Sequence, residues 1–103
     1  MSEARAQGPG PGRERTLTPA ADVAARRLGD EIVLVNLRTN LIYELNPTGA
    51  RLWELLAEGC DRREIERRML TDFDVAEETL RTEIDELLAS LLEAGLVTAA
   101  EET

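Results

Sequence analysis

Apolar side chains in the first half of the chain recur in short blocks that are typical of β-strands. The block Glu31–Asn36 is dense in β-branched and aliphatic residues and gives the clearest strand prediction. Residues 23–27 predict a weaker strand before it, and Gly29 marks the turn between the two. Leu41–Leu45 predicts a returning strand after a connection at residues 37–40. We therefore expect a small sheet of three strands.

The second half of the chain changes to the 3.6-residue spacing of helices. Pro47 removes a ladder donor and disfavours helix at the residue before it, so a first helix is expected to begin near Thr48. Asp61 predicts the N-cap of a short second helix, with a loop at residues 71–74. A long third helix is expected over residues 76–94, with an apolar stripe at Leu80, Ile84, Leu87, Leu88 and Leu91. The order βββααα belongs to the α+β class.

Both ends of the chain lack such periodicity. Residues 1–20 are rich in Gly, Pro, Arg and Glu, so we expect a disordered tail there, without the apolar region of a secretion signal. Residues 99–103 are expected to be a flexible C-terminal tail, which leaves one domain at residues 21–98. No apolar run approaches the ~20 residues of a membrane span. A cytoplasmic protein without a membrane partner is expected.

The composition argues against catalysis. The chain has no histidine, a single cysteine at position 60 and a formal net charge of −9. Histidine is the commonest general base and transition-metal ligand, and a thiol without a histidine is poorly activated. The many carboxylates of the third helix are expected to form a solvated face rather than an acid–base pair or a metal site. We therefore expect a protein that is not an enzyme and holds no cofactor or metal.

Two other functions fit parts of the pattern. Three helices of this kind favour a winged-helix DNA-binding regulator, and a basic cluster lies at Arg62, Arg63, Arg67 and Arg68. The long third helix is acidic, however, and a net negative chain repels nucleic acid, so no nucleic-acid partner is expected. A small scaffolding or dimerisation module, which self-associates through the leucine-rich helix, stays open.

The junction between sheet and helix carries a family resemblance. Residues 43–50 (Tyr-Glu-Leu-Asn-Pro-Thr-Gly-Ala), with Glu31–Asn36 before them and residues 52–56 (Leu-Trp-Glu-Leu-Leu) after them, resemble the PqqD family. That family includes the recognition elements of ribosomally synthesised, modified peptides, which are small winged-helix-like domains of βββααα order. The resemblance spans about residues 23–97. It looks closest to the stand-alone leader-binding proteins of lasso-peptide clusters, with a partial likeness to the pyrroloquinoline-quinone proteins.

The resemblance implies that the chain binds the leader segment of a precursor peptide. The leader would add as a strand along Leu41–Leu45, in a groove walled by the third helix, and an enzyme would then act on it. That enzyme would be a leader peptidase or a radical S-adenosylmethionine enzyme. The implied peptide-binding residues are Leu41, Ile42, Tyr43, Glu44, Leu45, Arg81, Ile84, Asp85 and Leu88. Arg81 and Asp85 would pair with charged leader residues. The sequence leaves open whether Tyr43 belongs to the core or faces the partner.

Overall fold

Three antiparallel strands followed by three helices form the body of the molecule, which a computed structural model describes for residues 17–99. The elements in chain order are β1 (Leu17–Pro19), β2 (Val23–Leu28), β3 (Glu31–Asn36), β4 (Leu41–Leu45), α1 (Pro47–Ala57), α2 (Arg62–Asp72), α3 (Glu77–Glu93) and β5 (Val97–Ala99). The predicted α+β class and the βββααα order of the body are confirmed. Two short outer strands, β1 and β5, add to the predicted set.

The central strand β3 shows why one side of the sheet is covered. Its residues Ile32, Leu34 and Asn36 are buried, whereas the alternate residues Val33 and Val35 are only half-buried. Side chains of successive strand residues point to opposite faces, so the helices pack on the first face. β2 and β4 pair with the two edges of β3, both antiparallel. Within residues 17–99, the second edge of β4 pairs with no other strand.

The strand-to-helix junction is closed by Asn46. Its side-chain oxygen accepts the backbone N–H of Gly49 at 2.9 Å and so caps α1. Pro47 occupies the first helical position, where its missing N–H does no harm, so the helix begins one residue before the predicted Thr48. The core fills the space between sheet and helices, and its buried large side chains are Ile32, Leu34, Leu45, Leu52, Trp53, Leu55, Leu56, Ile65, Met69, Leu80, Ile84, Leu91, Leu96 and Val97.

The two later helices depart little from their predicted bounds. Asp61 accepts the backbone N–H of Glu64 at 2.9 Å and caps α2, as expected. α2 then continues through Asp72, so the first half of the loop predicted at residues 71–74 is helical. The turn that follows contains Phe73, which is half-buried against the core. α3 lies within one residue of its predicted bounds at each end.

The outer ribbon of β1 and β5 extends beyond the predicted domain of residues 21–98 at both ends. Thr18 pairs with Thr98, and the N–H of Ala20 donates to the carbonyl oxygen of Leu96 at 2.9 Å. Residues 17–20, predicted as part of a disordered tail, therefore belong to the fold, and so does Ala99. Strands of three residues are too short to show a periodic pattern in sequence. The other predicted tail residues, 1–16 and 100–103, lie outside the described part of the chain.

Candidate functional site

The hydrogen bonds around β3 show which backbone groups of the sheet face β4. The N–H of Leu37 donates to the carbonyl oxygen of Asp22 at 2.8 Å, on the side of β2. The carbonyl oxygen of Asn36 accepts the N–H of Asn40 at 2.6 Å, inside the hairpin that leads to β4. In an antiparallel ladder the N–H and C=O of one residue point to the same neighbour, and successive residues alternate. The even-numbered residues of β3 therefore bond to β4.

The same alternation identifies the backbone groups at the outer edge of β4. The even-numbered residues of β3 stand opposite Leu41, Tyr43 and Leu45. Tyr43 and Leu45 therefore direct their N–H and C=O groups inward, to β3, while the N–H of Leu41 donates to the hydroxyl oxygen of Thr39 in the hairpin at 3.2 Å. Ile42 and Glu44 direct theirs outward, where no strand of residues 17–99 pairs with them. Two residues of β4 thus offer a short run of donors and acceptors, which is the template that an added strand requires.

The side chains of β4 grade from exposed to buried along the strand. On the face towards the helices, Leu41 is 54% exposed, Tyr43 is half-buried against the core, and Leu45 is buried. On the opposite face, Ile42 is 64% exposed and Glu44 is exposed as well. Tyr43 therefore belongs partly to the core and partly to the surface.

Helix α3 runs alongside β4 in the opposite direction. Near the start of β4, the side chain of Asn36, which stands opposite Leu41, donates to the carbonyl oxygen of Ala94 at 3.2 Å. Beyond the end of β4, a cavity of about 340 Å3 separates the strand-to-helix junction from α3. Its lining residues are Asn46, Thr48, Glu83, Glu86, Leu87 and Ser90. The gap between the end of β4 and α3 is therefore lined by one side of that helix.

That side, the near flank of α3, consists of Glu83, Leu87 and Ser90. The three positions follow the spacing i, i+4, i+7 and so lie on one line along the helix. Leu87 is half-buried against the core, whereas Glu83 and Ser90 are exposed. None of the three was among the predicted peptide-binding residues. The near flank and the outer edge of β4 together form the candidate site.

The predicted helix residues lie elsewhere, on a far flank made of Arg81, Asp85 and Leu88. These three residues have the same i, i+4, i+7 spacing as the near flank but face α2. Arg62 of α2 donates to Asp85 at 2.8 Å, and Arg81 donates to Glu66 of α2 at 3.2 Å. Leu88 lines a separate cavity of about 480 Å3 beside α2, the other lining residues being Leu17, Leu56, Cys60, Arg62, Ile65, Asp85, Ala89, Leu92 and Ala99. The structure does not bring this flank to β4.

Ile84 lies between the two flanks and is 0% exposed, so it is a core residue that supports both. A signal for this arrangement was present in the sequence. The charges of Arg81 and Asp85 complement those of Glu66 and Arg62 on the preceding helix, which would have indicated a contact with α2. As peptide contacts, Arg81, Ile84, Asp85 and Leu88 stay predictions that this geometry does not favour.

Three arginines of the basic cluster of α2 are engaged within the protein. Arg62 donates to Glu66 at 2.5 Å and to Asp85, and Arg67 contacts Glu64 at 2.9 Å. Arg68 contacts Glu58 at 3.3 Å. Burial lowers the pKa of Arg62, but its hydrogen bonds to the two carboxylates outweigh burial and raise the pKa overall. These arginines neutralise nearby acids, which disfavours a nucleic-acid surface on α2.

Other features of the described chain bear on its chemistry. Between residues 17 and 99, no three Cys, Asp or Glu side chains come together as a metal site. None of the helices in this range has the length and apolar character that crossing a bilayer requires. The candidate site is therefore defined by its backbone edge and its apolar and acidic side chains.

Comparison with known proteins identifies the family. The model of the family described as Coenzyme PQQ synthesis protein D (PqqD) matches residues 31–97, which is more than half of the chain. The chain belongs to the PqqD family. The match covers β3, β4 and all three helices, so both walls of the candidate site lie inside the PqqD domain. No curated protein sequence matches the chain.

Two solved structures share the PqqD-type fold of this chain. The first, "TbiB1 in Complex with the TbiA(beta) Leader Peptide", has a TM-score of 0.76 and 26% identity, and covers 82% of this chain and 99% of its own. The second, "Lasso peptide synthetase B1 complexed with the leader peptide", has a TM-score of 0.73 and 19% identity, with 81% and 98% covered. At that identity the second likeness supports the fold alone. The match therefore extends over nearly the full length of both neighbours.

Proposed function

We propose that this chain binds the leader segment of a ribosomally synthesised precursor peptide and presents it to the enzyme that processes it. The observation that carries the proposal is the free edge of β4, which ends at the junction that faces the near flank of α3 in a PqqD-family domain. The neighbour that is 26% identical was solved with a leader peptide bound. The resemblance in sequence and the open edge in structure support the same type of ligand.

The leader would bind as an additional strand. Its backbone would exchange hydrogen bonds with the outward N–H and C=O groups of Ile42 and Glu44, which give the complex its register. Successive side chains of the leader would then alternate between two surroundings. One set would enter the gap between Tyr43 and Leu87, and the other would lie over the outer face of the sheet beside Ile42.

The side chains around the gap suggest which leader residues fit. Tyr43 of β4 and Leu87 of α3 are both half-buried against the core, and their apolar surface favours an aliphatic or aromatic leader side chain. The far end of the gap is bounded by the carboxylates of Glu83 and Glu86, beside Asn46. An acidic leader residue at that end would be repelled, since like charges at short range disfavour each other.

In this proposal the chain contributes binding and leaves the covalent chemistry to its partner. Holding the leader raises the effective concentration of the attached precursor at the enzyme, which speeds processing without new catalytic groups. The partner is a leader peptidase if the pathway makes a lasso peptide. It is a radical S-adenosylmethionine enzyme if the pathway makes a quinone cofactor or a related product.

Calorimetric titration with a synthetic leader from the precursor encoded beside this protein tests the proposal. Glu44→Pro removes an N–H that points to the free edge, and proline is tolerated on edge strands because no bond to β3 is lost. We expect affinity to fall by about tenfold or more, since an edge hydrogen bond is lost and the added strand is displaced. Glu44→Ala keeps the N–H and should bind as the wild type does. Equal affinity in the proline and alanine variants, both folded by circular dichroism, would rule out strand addition at β4.

A further inference from the structure

The residue that joins the two walls of the groove is Asn36. It is 5% exposed and is the only buried polar or charged residue among residues 17–99. Its side-chain oxygen accepts the backbone N–H of Arg38 at 2.9 Å and that of Thr39 at 3.4 Å. Its side-chain nitrogen donates to the carbonyl oxygen of Ala94 at 3.2 Å. One amide therefore contacts both the hairpin that precedes β4 and the C-terminus of α3.

The contact between Asn36 and the C-terminal end of α3 is specific in its hydrogen bond and in its packing. The last carbonyl groups of a helix have no hydrogen-bond donor within the helix. The side-chain amide of Asn36 supplies a donor to the carbonyl oxygen of Ala94. Gly95 then turns the chain with a φ of 73°, a conformation that favours glycine. A Cβ atom at Gly95 would lie 3.6 Å from the side-chain nitrogen of Asn36, so the amide is packed against this turn.

The β4 end of the contact lies at the start of the free edge. Asn36 stands opposite Leu41, the first residue of β4, and its own carbonyl oxygen accepts the N–H of Asn40. Asn40 adopts a left-handed φ of 66°, which closes the hairpin. The position of β4 relative to α3 is thus fixed at one end of the groove by Asn36, while the other end opens at the acidic cavity.

We propose that Asn36 is a positioning residue for peptide binding: its amide holds the β3–β4 hairpin against the end of α3 and so sets the width of the gap that receives the leader's inward side chains. This role rests on the proposed function. The role requires a side chain that accepts the N–H groups of Arg38 and Thr39 and also donates a hydrogen bond to the carbonyl oxygen of Ala94. Aspartate keeps the acceptors but loses the donor, and its carboxylate would face the carbonyl oxygen of Ala94.

Asn36→Asp therefore cuts the link to α3 while leaving the hairpin bonds in place. The test measures the affinity of the wild type and of this variant for the full leader and for two alanine-substituted leaders. Each of these leaders has alternate residues replaced, so one of them lacks the inward side chains. We expect the variant to bind the full leader about tenfold more weakly, as loss of a buried hydrogen bond usually implies.

The alanine-substituted leaders separate positioning from general damage. For the leader without inward side chains, we expect the variant and the wild type to agree within about twofold, because groups that no longer interact show no coupling. For the other leader, the loss of about tenfold should persist. Equal affinity of the variant and the wild type for the full leader would overturn the role of Asn36. An equal loss for all three leaders would overturn it too, since the gap would then not matter.

Met69→Ala is the matched control for stability. Met69 is 0% exposed and lies in α2, away from the groove, so its truncation weakens the fold without touching either wall. This variant should keep wild-type affinity at a temperature where all proteins are folded. A loss like that of Asn36→Asp would assign the effect to stability and overturn the role. If the wild-type protein binds no leader at all, both this role and the proposed function fail, whereas unchanged binding by Asn36→Asp rejects only the role.

Discussion

The two flanks of α3 have the same spacing and opposite surroundings. The near flank, with Glu83, Leu87 and Ser90, borders the gap at the strand-to-helix junction that follows β4. The far flank, with Arg81 and Asp85 and one leucine, is joined to α2 by ion pairs. Both sets of residues follow the spacing i, i+4, i+7 along one helix, so the geometry of the helix alone does not decide which flank can bind a peptide.

The difference between the flanks comes from the elements packed against them. Leu87 and Leu88 are adjacent, identical in chemistry and both half-buried, yet Leu87 lines the cavity at the strand-to-helix junction and Leu88 lines the cavity beside α2. Their side chains point about 100° apart around the helix axis, which is enough to separate them. A binding surface on a helix is therefore defined by what its neighbours leave uncovered.

The largest expected effect is on the stability of the fold, at the buried residue Ile84 that lies between the two flanks. Ile84→Ala should lower the free energy of unfolding by about 2–5 kcal/mol, because it opens a cavity at a fully buried site. Urea denaturation measures this loss. Under conditions where the variant is folded, its affinity for the leader should stay within about threefold of the wild type, a difference of under 1 kcal/mol. A much larger loss of affinity without a loss of stability would place Ile84 in the groove.

The adjacent leucines give the sharpest test between the flanks. Leu87→Asp should weaken leader binding by about 30-fold, close to 2 kcal/mol, since it places a charge where an apolar side chain is expected. Leu88→Asp serves as the matched control and should change affinity by about threefold or less, although it lowers stability to a similar extent. Isothermal titration of both variants measures the difference. The reverse order of effects would move the site to the far flank, as the sequence had implied.

The smallest expected effect concerns the ion pair of the far flank. Asp85→Asn removes a partner of Arg62, but Asp85 is 66% exposed, so unfolding should become easier by about 1 kcal/mol or less. Leader affinity should not change. Arg62→Ala should cost more stability, because Arg62 also donates to Glu66. Thermal denaturation and titration of the pair would show whether the far flank contributes to the fold alone. A clear loss of affinity in Asp85→Asn would contradict this division.

The same contrast shows what could be predicted from the sequence. Strong local signals gave the right elements: the aliphatic block Glu31–Asn36, the cap at Asp61 and the stripe of the third helix. The edge strand Leu41–Leu45 was also predicted with its observed bounds. These features depend on residues that are close in sequence, so short windows contain the information.

The features that were missed depend on residues far apart. β1 and β5 exist because Leu17 pairs with Ala99, a contact that neither three-residue segment indicates by itself. The choice between the flanks of α3 depends on where α2 packs, and the apolar stripe is compatible with either. In the same way, Asn36 looks like an ordinary strand end until the carbonyl of Ala94 is found beside it.

The most direct test of the central claim is amide hydrogen exchange at β4, measured by NMR with and without the leader peptide. Ile42 and Glu44 direct their N–H groups to the free edge, whereas Tyr43 directs its N–H to β3. Strand addition predicts that exchange at Ile42 and Glu44 slows by about tenfold or more on binding, as new ladder bonds form, while exchange at Tyr43 changes little. Unchanged exchange at Ile42 and Glu44 in a saturated complex would contradict the account.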